Sequence, residues 1–81
     1  MFYTVYIVRC ADDSLYTGIT NDIDKRMRNH NEGKAGAKYT RSRRPVTLVY
    51  TESVGTMSLA KKREAAIKKL TRQEKIQLLS L

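Results

Sequence analysis

The chain has 81 residues, which is the size of one domain, and we expect a single domain over residues 1–81. Sixteen Lys and Arg residues against eight Asp and Glu residues give a formal net charge of +8, which favours a polyanionic partner. A single cysteine excludes an intramolecular disulfide. Because the chain has neither a signal-peptide pattern nor an apolar run of about 20 residues, we expect a cytoplasmic protein without a membrane partner.

The first two predicted elements form a β-hairpin. Residues 2–9 are rich in β-branched and aromatic side chains, and alternation places Tyr6 on one face of this strand. Residues 11–14 have the composition of a turn, and Leu15–Ile19 predicts the second strand. We expect this antiparallel hairpin to place Tyr16 opposite Tyr6.

A helix and a long basic loop follow the hairpin. Residues 20–22 offer helix caps, and Ile23–Asn31 predicts a helix in which Arg26 and His30, one turn apart, border an apolar stripe. Residues 32–44 contain two glycines and five basic residues without an apolar run, which predicts a loop. A loop of this length in so small a domain is often functional.

The remaining elements are a strand and two helices. Val46–Thr51 predicts the third strand, and Thr56 or Ser58 can cap a helix that runs to about Leu70. Thr71 can cap a short final helix. The order β-β-α-β-α-α predicts an α+β fold in which helices flank a small three-stranded antiparallel sheet.

Several residues suited to chemistry lie on faces that ought to be apolar: Tyr6, Tyr16, Gly18, Arg26, His30 and Glu64. Glu64 is the sole acid in an otherwise basic helical segment, residues 59–70. Each residue also has a purely structural explanation. The tyrosines can be sheet aromatics, Gly18 can mark a bulge, His30 can be a helix-end charge, and Glu64 can pair with Lys68 one turn later.

Two tripeptides, ten residues apart, carry a family resemblance. Thr4-Val5-Tyr6 and Tyr16-Thr17-Gly18 look like the paired motifs of GIY-YIG nuclease domains, which the chain resembles along nearly its full length. Arg26, His30 and Glu64 stand where that family has its arginine, a histidine one turn later and its metal-binding glutamate. Lys38-Tyr39-Thr40 and the compact length resemble the small stand-alone YhbQ-type members.

The resemblance implies a metal-dependent endonuclease that hydrolyses phosphodiester bonds in DNA. One Mg²⁺ or Mn²⁺ ion would bind Glu64, and Arg26 would neutralise charge on the phosphate. Tyr6 would act as general base, Tyr16 would orient water or phosphate, and His30 would assist as a proton relay. The residues expected to contact nucleic acid are Gly18, Lys34, Lys38, Tyr39, Arg41, Arg43 and Arg44.

The chain departs from the family pattern at several positions. Thr4 replaces a glycine and Thr17 an isoleucine, while Ile19 and Thr20 stand where some members have a lysine. A late asparagine of larger members has no clear counterpart. The alternatives are therefore a catalytically weak or inactive nucleic-acid binding module, or a ribosome-associated basic protein. Nothing in the sequence reads bases, so specificity is either weak or directed by a protein partner.

Overall fold

The computed structural model describes residues 2–33 and 38–80. Their elements, in chain order, are β1 (Tyr3–Arg9), β2 (Leu15–Thr20), α1 (Ile23–Glu32), α2 (Lys38–Arg41), β3 (Thr47–Val54), α3 (Met57–Lys68) and α4 (Arg72–Leu79). The α+β fold with a three-stranded antiparallel sheet is confirmed, with the one-turn helix α2 added. None of the described helices is long and apolar enough to cross a membrane.

β1 is the central strand of the sheet, whose order is β2-β1-β3. The register places Tyr6 opposite Gly18, whereas Tyr16 pairs with Val8. The prediction that Tyr16 lies directly opposite Tyr6 is wrong, because the strands pair from Arg9 and Leu15 onward and the connection takes all five residues between them. The two tyrosines are diagonal neighbours on one face, which keeps them within reach of each other.

The two faces of β1 pack against different helices. Val5 and Ile7 are buried against Ala60 and Ile67 of α3, and the carboxyl-terminal end of α4 packs against the same cluster. Tyr6 and Val8 lie in a second cluster against apolar residues of α1. Strand alternation therefore assigns Tyr6 to the α1 layer and leaves the α3 layer to aliphatic packing.

The predicted helix starts are confirmed by their caps. The Asp22 side chain accepts from the Lys25 amide at the start of α1, and Thr56 accepts from the Leu59 amide at the start of α3. Thr71 forms a capping box with the third residue of α4. These side chains satisfy amides that have no partner within the helix.

The segment predicted as a continuous loop is partly helical. Glu32 ends α1, and Lys38–Arg41 forms α2, because tertiary contacts supply what the local sequence does not: Thr40 is fully buried and hydrogen-bonds the His30 ring. Lys34 lies outside the described residues. Asn31, predicted on the apolar stripe of α1, hydrogen-bonds both backbone groups of Val46, at 3.1 and 2.7 Å, and so fixes where β3 begins.

Thr17 faces the aliphatic layer. It pairs with Ile7 across the hairpin and is 2% exposed. Its hydroxyl has no hydrogen-bond partner among the described residues. An apolar side chain would suit this position equally well, which explains why the departure from isoleucine at the second tripeptide leaves the α1 face undisturbed.

Candidate active site

The Tyr6 hydroxyl is the centre of a buried polar cluster on the α1 face of the sheet. Its side chain is fully buried, and the hydroxyl lies 2.7 Å from His30 Nε2. Arg26 Nε donates to the same oxygen at 3.1 Å. Gly18 provides the space, since a Cβ atom there would stand 2.5 Å from the Tyr6 hydroxyl oxygen. The Tyr6 ring therefore occupies the space that a side chain at position 18 would fill.

His30 is fully buried between the Tyr6 hydroxyl and Thr40. Its second ring nitrogen, Nδ1, lies 2.8 Å from Thr40 Oγ1. Burial lowers the pKa of His30 from 6.5 to about 4, and the positive charges of Arg26 and Arg44 act in the same direction. The imidazole is therefore neutral near pH 7, so one of its two ring nitrogens carries a lone pair.

The stability of the protein should fall as the pH drops from about 6.5 towards 4. In this window the unfolded histidine is protonated while folded His30 stays neutral, so unfolding takes up a proton. His30 contributes its full stabilisation above the unfolded pKa and loses it as the pH approaches the folded pKa. The difference between 6.5 and about 4 corresponds to roughly 3 kcal/mol in the free energy of unfolding.

Urea denaturation at a series of pH values measures this effect. The variant His30→Gln removes the titrating ring and keeps the carboxylates, whose own contributions then cancel in the comparison. We expect the variant to have a clearly shallower pH dependence than the native chain between pH 6.5 and 4. Equal slopes would contradict a neutral, buried His30.

Burial and the neighbouring Arg26 act in opposite directions on the pKa of the Tyr6 hydroxyl. Burial raises its pKa above the ordinary value, the hydrogen bond and charge of Arg26 lower it, and Tyr16 and Glu64 add smaller upward contributions. Although burial disfavours the charged form of Arg26, its interactions with Tyr6 and Tyr16 raise the pKa of the guanidinium overall. Tyr6 is therefore a protonated phenol in the free protein, beside a permanent cation that would stabilise its phenolate.

Tyr16 lies between the buried cluster and α2. Its ring meets the His30 ring edge-on, with 5.5 Å between centroids, and stacks on the Tyr39 ring at 5.7 Å. The Arg43 guanidinium in turn lies 4.1 Å from the centroid of Tyr39. Aromatic and cation–π contacts thus form a continuous column from Arg43 to His30.

Glu64 reaches this neighbourhood from the other layer of the fold. Its side chain is 22% exposed and pairs with Lys68 at 3.6 Å, one turn along α3. The carboxylate is close enough to Tyr6 to raise the pKa of that hydroxyl. Direct contacts therefore join Tyr6, Arg26, His30 and Tyr16. Glu64 acts on this cluster through the effect of its charge on Tyr6.

The basic residues after α1 divide into two groups. Lys38 and Arg41 are exposed on α2. Arg43 instead pairs with Asp12 of the hairpin turn at 2.9 Å and donates to the Tyr39 carbonyl, and Arg44 donates to three carbonyls at the end of α1. Sequence reasoning missed these anchoring roles because the partners are distant in the chain. Contact of any of these residues with nucleic acid stays a prediction.

The donor set around Tyr6 is compatible with one hard cation. Among residues 2–33 and 38–80, no group of three or more His, Cys, Asp and Glu side chains is arranged to hold a metal ion. Glu64, by contrast, offers a single partly exposed carboxylate whose charge acts on the Tyr6 hydroxyl. Mg²⁺ and its analogues accept one or two carboxylates and keep several waters, so Glu64 fits such an ion and the set does not fit a nitrogen or sulfur cage.

Comparison with known proteins shows the family to which the chain belongs. The family model of the GIY-YIG catalytic domain matches residues 2–77. The chain belongs to the GIY-YIG family. A UPF0213 protein of Syntrophus aciditrophicus is 59% identical over 75 residues, which cover 93% of this chain and 86% of the relative. A UPF0213 protein of Clostridium perfringens is 57% identical over 76 residues, which cover 94% of this chain and 81% of the relative.

Two solved structures of similar length share the fold of this GIY-YIG protein. The solution structure of a UPF0213 protein from Bacillus halodurans has a TM-score of 0.63 at 45% sequence identity. A protein from E. faecalis has a TM-score of 0.69 at 44% identity. Each comparison covers 99% of this chain and 84% of the other. GIY-YIG domains are in general nuclease domains, so this chain has a nuclease fold.

Proposed function

We propose that this GIY-YIG protein is a metal-dependent endonuclease that hydrolyses phosphodiester bonds in DNA. The observation that carries the proposal is the Tyr6 hydroxyl, held between His30 Nε2 at 2.7 Å and Arg26 Nε at 3.1 Å, with Glu64 within electrostatic reach. Packing alone does not require a guanidinium hydrogen-bonded to a buried phenol that also hydrogen-bonds a buried imidazole, with a carboxylate whose charge acts on the phenol.

Tyr6 is the tyrosine best equipped to act as general base. A bound phosphate would add negative charge that raises the pKa of His30, so that the Tyr6 proton could pass to His30 Nε2 while Arg26 stabilises the phenolate that remains. The phenolate then takes a proton from water, the resulting hydroxide oxygen forms a bond to phosphorus, and the bond from phosphorus to the leaving oxygen breaks. The leaving oxygen takes a proton from solvent, and His30 releases its proton to solvent. Because Tyr6 is fully buried in the free protein, water reaches this hydroxyl only after a movement that nucleic-acid binding would induce.

The other members of the cluster would act on the phosphate. Arg26 carries a fixed fork of donors suited to phosphate oxygens, so it would neutralise negative charge as the transition state forms. Tyr16, half-buried beside it, would orient the phosphate or the attacking water. Glu64 would hold one Mg²⁺ or Mn²⁺ ion, and such an ion supplies Lewis-acid polarisation of the phosphoryl oxygen.

DNA is the proposed substrate because of the charge of the chain and its distribution. The net charge is +8, and exposed cations lie on α2 and along α3, namely Lys38, Arg41, Lys61, Lys62 and Lys68. Such residues contact phosphates without reading bases. Substrate structure would therefore be selected by shape or by a protein partner.

A cleavage assay over a panel of DNA and RNA structures tests the proposal. Duplex, nicked, branched and single-stranded substrates would each be incubated with Mg²⁺, with Mn²⁺ and with chelator. We expect metal-dependent cleavage of at least one DNA substrate and none with chelator. Binding without cleavage under every condition would instead favour the inactive binding module, to which the absent lysine at Ile19 and Thr20 points.

A further inference from the structure

A threonine on α2 contacts the site from the side opposite to Tyr6. Thr40 is fully buried, and its hydroxyl oxygen lies 2.8 Å from His30 Nδ1, while His30 Nε2 lies 2.7 Å from the Tyr6 hydroxyl. The imidazole is thus hydrogen-bonded at both nitrogens by two buried hydroxyl groups. Which nitrogen carries the proton decides whether His30 can receive the proton of Tyr6.

The hydrogen-bond donors around Tyr6 indicate which ring nitrogen of His30 carries the proton in the free protein. Arg26 Nε carries a hydrogen and can only donate, so it uses a lone pair of the Tyr6 oxygen. Tyr6 and His30 are both neutral in the free protein, because burial raises the pKa of the first and lowers that of the second. The Tyr6 hydroxyl hydrogen then needs an acceptor, and His30 Nε2 lies at hydrogen-bond distance, 2.7 Å from the hydroxyl oxygen.

We infer that Thr40 is a positioning residue that keeps the ring proton of His30 on Nδ1, so that Nε2 presents a lone pair to Tyr6. Thr40 Oγ1 accepts the hydrogen bond from Nδ1, and this bond also fixes the rotation of the ring. The helix α2 places this hydroxyl against the His30 ring, and Thr40 is the buried residue of that helix. The catalytic part of the inference rests on the proposed function, whereas the tautomer does not.

Nitrogen-15 NMR of the His30 ring tests the inference in the unmodified protein. We expect the proton on Nδ1 and an unprotonated Nε2 near pH 7. In Thr40→Val, which keeps the shape and removes the acceptor, we expect a mixed or reversed tautomer. Thr40→Ser should restore the native pattern. A proton on Nε2 in the native chain would overturn the inference whatever the variants do, and so would an unchanged tautomer in a natively folded Thr40→Val.

Cleavage kinetics provide the second measurement. Thr40→Val should lower kcat about tenfold with little change in KM, the scale of one lost hydrogen bond, and Thr40→Ser should recover most of it. Thr17→Val is the matched control, because it removes a buried hydroxyl in the other layer that has no partner among the described residues. It should leave the tautomer and the rate unchanged. If the native chain cleaves nothing, the proposed function fails and the NMR result still decides the role of Thr40.

Discussion

Replacing Glu64 by glutamine should strongly slow metal-dependent cleavage while the fold and the affinity for DNA persist. The change keeps the size of the side chain and removes the charge that would hold the cation. Because metal stabilisation of transition-state charge amounts to several kcal/mol, we expect the rate to fall on the order of 10²–10³-fold. Cleavage kinetics at saturating Mg²⁺ measure the loss, and circular dichroism and a DNA-binding titration check what is retained.

Lys68→Gln separates this role from the ion pair between the two residues. The pair lies 3.6 Å apart on the surface of α3, and a helical pair of this kind contributes only about 0.3–0.5 kcal/mol. If Glu64 serves only to pair with Lys68, both variants should behave alike. We expect Lys68→Gln to keep metal-dependent cleavage, and an equal loss in the two variants would assign Glu64 a structural role.

Gly18→Ala should damage both stability and activity although it adds one methyl group. The new Cβ would lie 2.5 Å from the Tyr6 hydroxyl oxygen and 2.7 Å from the ring carbon that bears it, and the fully buried ring has no free volume to enter. Overpacking of this kind costs about 1–3 kcal/mol. Displacement of the hydroxyl from His30 and Arg26 should lower the cleavage rate about 10²-fold, as misplacement by an ångström can.

Gly55→Ala is the matched control for this substitution. A Cβ atom at Gly55 meets nothing within 4 Å, so the variant carries the same change in chain entropy without a collision. Urea denaturation and cleavage kinetics of both variants make the comparison. Native-like behaviour of Gly18→Ala would show that Tyr6 has more room than this packing allows.

Most of the fold could be predicted from the sequence because its signals are local. Alternation identified β1, and Asp22, Thr56 and Thr71 identified the starts of three helices. The helix α2 could not be predicted, since four residues carry no periodicity and the contact that buries Thr40 comes from α1. The predicted hairpin register differs from the observed one by one same-face pair, since Tyr6 lies opposite Gly18 and not opposite Tyr16. Turn composition does not reveal this register, because the length of the connection is decided by how the two strands pair.

The candidate site was accessible to sequence analysis only as a set of unusual residues. Tyr6, Arg26 and His30 stood out because each is polar on a face that should be apolar. Their mutual contacts, and the hydrogen bond from His30 to Thr40, join residues 10 to 24 positions apart and leave no periodic signal. The anchoring of Arg43 by Asp12 was hidden for the same reason, as these residues are 31 positions apart.

The burial of Tyr6 and His30 bears on how activity can be inferred across relatives. Both are among the largest fully buried side chains of the described chain, so selection for folding alone would preserve them after catalysis had been lost. Tyr6 and His30 by themselves therefore do not distinguish an active relative from an inactive one. Glu64 contributes little to packing and forms only a weak surface pair, so its loss or retention is the informative marker when active and inactive descendants are to be told apart.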